Sequence, residues 1–163
     1  RFERTYRPHM AHLFGTLDSE QFLRHFALGG YNPRLGLEIG RYVRQNSAAD
    51  ETLLVWGMAP DIYYHARRRP ATRYPFHHLL LTKAPISRQF AGLPERRHHF
   101  LQRLRRDQPA FIAVGLADRN SFEPRGSQEQ MRRFSEFYLY VRDHYLPDRI
   151  IGNYRIYRRR PQS

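Results

Sequence analysis

LLVWGMAPDIYYHARRRP, residues 53–70, decides the fold. Leu53 to Trp56 is apolar throughout, too short for a helix, and bounded by the polar turn SAADE and by Gly57; it reads as a buried strand. Pro60 suits a first helical position, and Asp61 places a negative charge in the first turn. Strand, tight turn and helix therefore occupy 53–67, the first half of a βαβ unit, with Pro70 ending the helix. FIAVG at 111–115 is a second strand of the same kind. Strands that are apolar on both faces belong at the centre of a sheet with helices above and below.

Outward from this stretch the pattern continues. Upstream, Leu35, Ile39, Tyr42 and Val43 mark one side of a helix from Arg34 to near Asn46, and Gly36 and Gly40, four apart, permit a close backbone approach. Residues 1–33 lack a sustained period; LDSEQFLRHF fits a short helix capped by Asp18 or Ser19 and stopped by Gly29-Gly30. Downstream, ATRYPF is expected as a short edge strand, and HHLLLT is apolar enough to bury. ISRQFAGLP reads as a short helix and loop. Pro94 opens another helix with Phe100, Leu101 and Leu104 buried and its arginines in water. Ser127 and Gln130 have capping-box spacing before a long helix carrying Met131, Phe134, Tyr138, Val141 and Tyr145. Pro147 and Asp148 are expected to turn the chain into an alternating terminal strand, IIGNYRIYRR. The expectation is one α/β domain over 1–163, a layered α/β/α Rossmann-like sandwich without a dinucleotide fingerprint, with 1–33 as lead-in and 34–160 as core.

Composition narrows the chemistry. The 163 residues hold no cysteine, so disulfides and thiolate metal sites are excluded. No run reaches the roughly 18 apolar residues of a spanning helix. The absence of an initiator methionine before RFERTYRPHM fits a processed or excised piece. A net charge of +13, almost entirely from arginine, favours partners bearing phosphate or acidic headgroups, and equally fits a compositional bias toward arginine.

Each candidate residue has a functional and a plainer reading. Asp61 is a helix-start charge or a ligand-facing acid; Asp118, three residues after the second strand, forms an Asx turn or faces the same sheet edge. Arg67, Arg69 and Arg73 around Pro70 attract phosphate or are a solvated helix end. Arg103, Arg105 and Arg106 fit the solvated reading better. Adjacent His77-His78 and His98-His99 point in different directions and make poor chelators, so no metal is expected. No HExxH, GxGxxG after a strand, Walker A or GxSxG occurs, and Ser121 and Ser127 have no triad setting; no catalytic residue and no cofactor is assigned. For nucleic acid there is no RNP pair, zinc-finger spacing or helix-turn-helix, and YRIYRRR is a phosphate-touching arm or an edge strand with a solvated tail.

The order of pieces resembles the soluble segment that follows the membrane helices of bacterial polytopic glycosyltransferases of the GT-C type, relatives of dolichyl-phosphate-mannose–protein mannosyltransferases and of lipid A aminoarabinose transferases. The resemblance lies in LEIGRYVRQNSAADETLLVWGMAPDIYYHARRRPATRYPF, then LRRDQPAFIAVGLAD, then RIIGNYRIYRRR, and is strongest from Val55 to Tyr74. Trp56, Gly57, Pro60, Tyr64, Pro70 and Tyr74, with Arg69 and Arg73, carry it as structural signature residues, and Asp118 matches an aspartate after the strand. Trp56 itself is either packed core or a sugar-stacking platform. The resemblance implies a polyprenyl-phosphate sugar donor, an extracytoplasmic location at the cell membrane, and a catalytic carboxylate in a transmembrane portion that this chain lacks. The implied role is accessory: positioning donor or acceptor beside the parent's transmembrane catalytic domain and anionic lipid headgroups. A basic nucleic-acid-binding module and a small nucleotide-using enzyme are the competing readings.

Overall fold

The structure, a computed structural model, describes residues 10–18, 21–22, 32–82, 92–119 and 124–161. Helix α1 spans Pro33–Gln45, β1 Thr52–Trp56, α2 Asp61–Ala66, β2 Arg69–Pro70, α3 Leu93–Asp107, β3 Phe111–Gly115, α4 Ser127–Arg133, α5 Ser135–His144, β4 Tyr145–Ile151 and β5 Tyr154–Arg159, with a short 3-10 turn at His77–Leu80. The five strands form one sheet in the order β2-β1-β3-β5-β4. The first three are parallel, with Leu53 opposite Phe111 and Trp56 opposite Val114, and β5 and β4 complete it as an antiparallel hairpin.

Alternation along the two central strands builds two cores. Leu53, Val55, Phe111 and Ala113 face α1 and α2, where Ile39, Val43, Ile62 and Ala66 meet them. Leu54, Trp56, Ile112 and Val114 face the other way, onto Phe100, Leu104, Met131, Phe134, Phe137 and Val141 of α3, α4 and α5. The layered α/β/α sandwich read from the sequence is therefore the observed fold.

The α1–α2 contact depends on glycine. A Cβ on Gly40 would lie 2.4 Å from His65 Cβ and 2.7 Å from the Ala66 backbone nitrogen, and one on Gly36 would meet the Asp61 carboxylate. Asn32 caps α1 by accepting from the Arg34 N–H at 3.0 Å. Strand β2 is only two residues long, so it covers just the start of β1: Ala71 N–H donates to Leu53 carbonyl oxygen at 2.9 Å. Beyond it the Val55 N–H donates instead to the Tyr63 hydroxyl at 2.8 Å, which keeps a buried backbone donor satisfied where no strand reaches.

Several local expectations are corrected. Helix α2 ends at Ala66, before Pro70, because Arg67 takes a left-handed conformation (φ 51°). The edge strand is Arg69–Pro70, and ATRYPF runs on as bends. The single long helix after Ser127 is broken at Phe134 (φ −97°, ψ 77°), which shifts the buried stripe to Phe137 and Tyr140 and leaves Tyr138 exposed. Pro147 and Asp148 lie inside β4, at a register shift, and the turn falls at Gly152 (φ 54°) and Asn153, so IIGNYRIYRR is the tip and return of a hairpin. Arg96 is buried rather than solvated; its Nε donates to Leu79 carbonyl oxygen at 2.8 Å and its Nη2 to that of Thr82 at 2.6 Å. HHLLLT buries His77 and Leu80, as expected. Asp18 caps the Gln21 N–H at 2.8 Å and its carbonyl oxygen accepts from the Phe22 N–H at 2.9 Å, in helical conformation; residues 19–20 and 23–26 of the expected helix, and ISRQFA, lie outside the described residues.

Gly40→Ala meets backbone that cannot yield, and is expected to lose about 1–3 kcal/mol in urea denaturation. Gly36→Ala, which meets a movable carboxylate, should lose less. Burial raises the Tyr63 and Tyr145 hydroxyls well above the ordinary tyrosine range. Their contribution is complete below the unfolded pKa of about 10 and is lost as pH rises beyond it, because the unfolded chain then ionises while the folded one resists. Tyr63→Phe should lower stability at neutral pH and flatten that alkaline decline.

Candidate functional site

The chain leaves β1 toward β2 on one side and returns to β3 on the other, so the strand order reverses at the C-terminal ends of β1 and β3. Open α/β sheets usually receive ligands there. Asp118 sits at this point, 7% exposed. Its carboxylate lies over glycines: a Cβ on Gly115 would stand 2.3 Å from Oδ2, and one on Gly126 3.4 Å from Oδ1. Ser127 donates to it twice, from its backbone N–H to Oδ1 at 2.8 Å and from its hydroxyl to Oδ2. His77 Nε2 lies 3.4 Å from the same hydroxyl, and Trp56 Nε1 donates to Ser127 carbonyl oxygen at 2.9 Å.

The arrangement contains Ser, His and Asp but not in the working order of a hydrolase, where histidine stands between the other two. Ser127 is 1% exposed, and its hydroxyl donates its hydrogen bond directly to the carboxylate rather than to the histidine. Its chemistry is capping. Asp118, nine residues earlier in the β3–α4 connection, supplies the acceptor that α4 needs at its N-terminus, where Gly126 has no side chain to offer. The expected Ser127–Gln130 capping box is thereby replaced. Trp56 is core: 1% exposed, it packs against Phe137 at 4.6 Å, His77 at 5.4 Å and Phe100 at 5.8 Å between ring centroids.

The arginines lie at the other end of the strands. Arg69 is paired with Thr52, the first residue of β1, whereas Gly57 and Asp118 follow the last residues of β1 and β3. Roughly 13 Å of strand separates the two edges. Asp61 opens α2 and lies over Gly36, so it belongs to the helix crossing. Arg73 stands apart from Arg67 and Arg69. Its guanidinium sits 5.3 Å from the Tyr74 ring centroid and donates to the Tyr74 hydroxyl at 3.2 Å, beside His99 of α3. Partial burial, then Arg73, Arg103 and His98, hold the His99 imidazole below its ordinary pKa.

Arg67 and Arg69 line an open groove of about 830 Å³ with Arg41 and Arg44 of α1, Tyr64 and His65 of α2, and Pro70. Arg68 forms its floor, 9% exposed. The Arg68 guanidinium donates to the carbonyl oxygens of Arg44 (3.1 Å) and Ser47 (2.7 Å) at the end of α1, and of Ala66 (3.3 Å) and Arg67 (3.1 Å) at the end of α2. Tyr64 is 80% exposed, so this signature residue is a surface group rather than core. Arg41 and Arg44 escaped the sequence reading, although Leu37, Arg41 and Arg44 recur at helical spacing. Gly57, Pro60 and Tyr74 keep structural places: beneath Tyr154, at the start of α2, and in the core.

Fold and groove together define a layered α/β domain with an arginine-lined cleft at the N-terminal edge of its sheet. No family model, curated protein or solved structure matches the chain.

Asp118→Ala strips the buried Ser127 donors of their acceptor and is expected to cost about 2–3 kcal/mol in equilibrium unfolding, with Asp118→Asn costing less. An Asp118→Ala variant as stable as the parent would free this carboxylate for another duty.

Proposed function

We propose that this chain is an accessory, extracytoplasmic domain of a polytopic glycosyltransferase that uses a polyprenyl-phosphate-linked sugar. It helps to hold the lipid-linked donor or the acceptor beside the bilayer, and the sugar transfer belongs to the transmembrane part of the parent. Two lines support the reading: the ordered resemblance from α1 to β5, and the distribution of charge.

The charge distribution carries the argument. Helices α1, α2, α3 and α5 each precede a strand that starts at the same sheet edge, so all four C-terminal ends converge there. Each ends in basic residues: Arg44; His65 and then Arg67; Arg105 and Arg106; Arg142 and His144. Strand β5 is antiparallel to β3 and brings Arg158 and Arg159 to the same edge, with Arg160 following. Cations at helix C-termini are favoured by the dipole one helix at a time. Their collection on one edge is a product of topology, and it gives the domain a basic end suited to an anionic headgroup layer at roughly 1 kcal/mol per arginine near the surface. Among the described residues no helix is long and apolar enough to cross a membrane, so contact would be with the surface.

Vesicle co-sedimentation tests this. The chain is expected to bind phosphatidylcholine vesicles doped with phosphatidylglycerol, to ignore pure phosphatidylcholine, and to lose binding as salt rises. Arg105→Gln/Arg160→Gln should weaken it. Equal binding to both vesicle types, or tighter binding to an oligonucleotide than to the doped vesicles, would remove the support for a membrane-facing role.

A further inference from the structure

The arginines of the basic edge are not equivalent. Arg103 and Arg106 pair with Asp107, Arg142 with Asp143, Arg158 with Asp148 and Arg159 with Glu51. Those of the α1–α2 groove are not so neutralised: among the described residues none of Arg41, Arg44, Arg67 and Arg69 takes part in an ion pair, and all four are exposed. Four like charges therefore share one concavity without an acid among them.

Helix ends ordinarily oppose an anion, because their last carbonyl oxygens point outward with the negative end of the dipole. Arg68 reverses this. It is the one arginine of the groove that is buried, and it spends its donors on carbonyl oxygens of both helix ends and on Ser47 Oγ at 2.9 Å. Four carbonyl oxygens at the groove floor are thus occupied by a fifth positive charge that lies beneath it. The close α1–α2 crossing at Gly40 fixes the two walls against each other. Exposed Tyr64, edge-on to His65 at 5.3 Å, supplies a planar side wall.

From this geometry we infer that the groove is a binding site for a diphosphate group. Guanidinium forks match tetrahedral oxyanions two bonds at a time. A single phosphate, carrying at most about two negative charges, leaves part of the groove unbalanced, whereas a diphosphate spans both walls and meets arginines from each. The group is either carried by a lipid or free in solution. The site stands on its own geometry and does not require the glycosyltransferase reading. It takes in Arg67 and Arg69 and omits Arg73, which faces α3.

Isothermal titration calorimetry of the whole chain with inorganic pyrophosphate and with inorganic phosphate tests the site. One saturable pyrophosphate site is expected, about tenfold or more tighter than phosphate. Arg41→Gln/Arg44→Gln and Arg67→Gln/Arg69→Gln should each weaken it about tenfold or more while melting like the parent, and Arg132→Gln/Arg133→Gln, on α4 across the sheet, should leave it unchanged. Non-saturating heats, or equal weakening by the α4 pair, would overturn the site. Neutral phosphatidylcholine vesicles carrying farnesyl diphosphate separate the sources: recruitment lost in the groove variants assigns the group to a lipid, and pyrophosphate binding without recruitment assigns it to a free molecule. Binding to anionic vesicles without pyrophosphate binding would sink the groove site and spare the bilayer reading; the converse would sink only the latter.

Discussion

Two backbones lying against each other with no side chain between them set the rest of this structure. At Gly40 helix α1 runs so close to His65 and Ala66 that even a methyl group has no room. Each helical glycine costs about 1 kcal/mol of propensity relative to alanine, so the contact has to recover that through packing. It does so through Ile39 and Val43, which the crossing presses onto Leu53, Val55 and Ile62. The same crossing aligns the ends of α1 and α2 closely enough for one side chain, Arg68, to bind the terminal carbonyls of both.

The two ends of the sheet then diverge in character. At the C-terminal edge the chain spends a carboxylate on internal order, with Asp118 holding α4 through Ser127 beneath Trp56 and His77. This is the position where an α/β sheet commonly opens to a ligand, and here protein groups occupy it. At the N-terminal edge the helix ends accumulate arginine. Arg103, Arg106, Arg142, Arg158 and Arg159 are paired with neighbouring acids, and the groove cluster adds an excess of positive charge on a rigid frame.

How much of this was legible follows from range in sequence. Strands β1 and β3 were plain because apolar runs bounded by turn residues need no partner to be recognised, and α1 was plain because its stripe and its glycines lie within thirteen residues. The break at Phe134 was not visible, since Met131, Phe134, Tyr138 and Val141 fit an unbroken helix equally well until the sheet dictates which ring turns inward. Arg96 looked solvated because its acceptors, the carbonyls of Leu79 and Thr82, come from a turn far off in the chain. Asp118 reads from the sequence either as an Asx turn or as facing the sheet edge, and Ser127 reads as its own cap; only the folded β3–α4 connection shows which acceptor the helix uses. The arginines around Pro70 were noticed as one cluster; the backbone turn at Arg67 and the bends after Pro70 send Arg73 to a different neighbourhood.

Both border strands of the sheet carry proline. Pro70 lies in β2, which is no more than two residues long, and Pro147 lies in β4 beside the register shift at Arg149. Each rim therefore lacks a donor and, on the β4 side, a regular spacing, so neither presents the even ladder that a strand from another molecule would need to add on. Among the described residues the sheet is thus closed at both margins against growth by strand addition, however crowded the chain becomes.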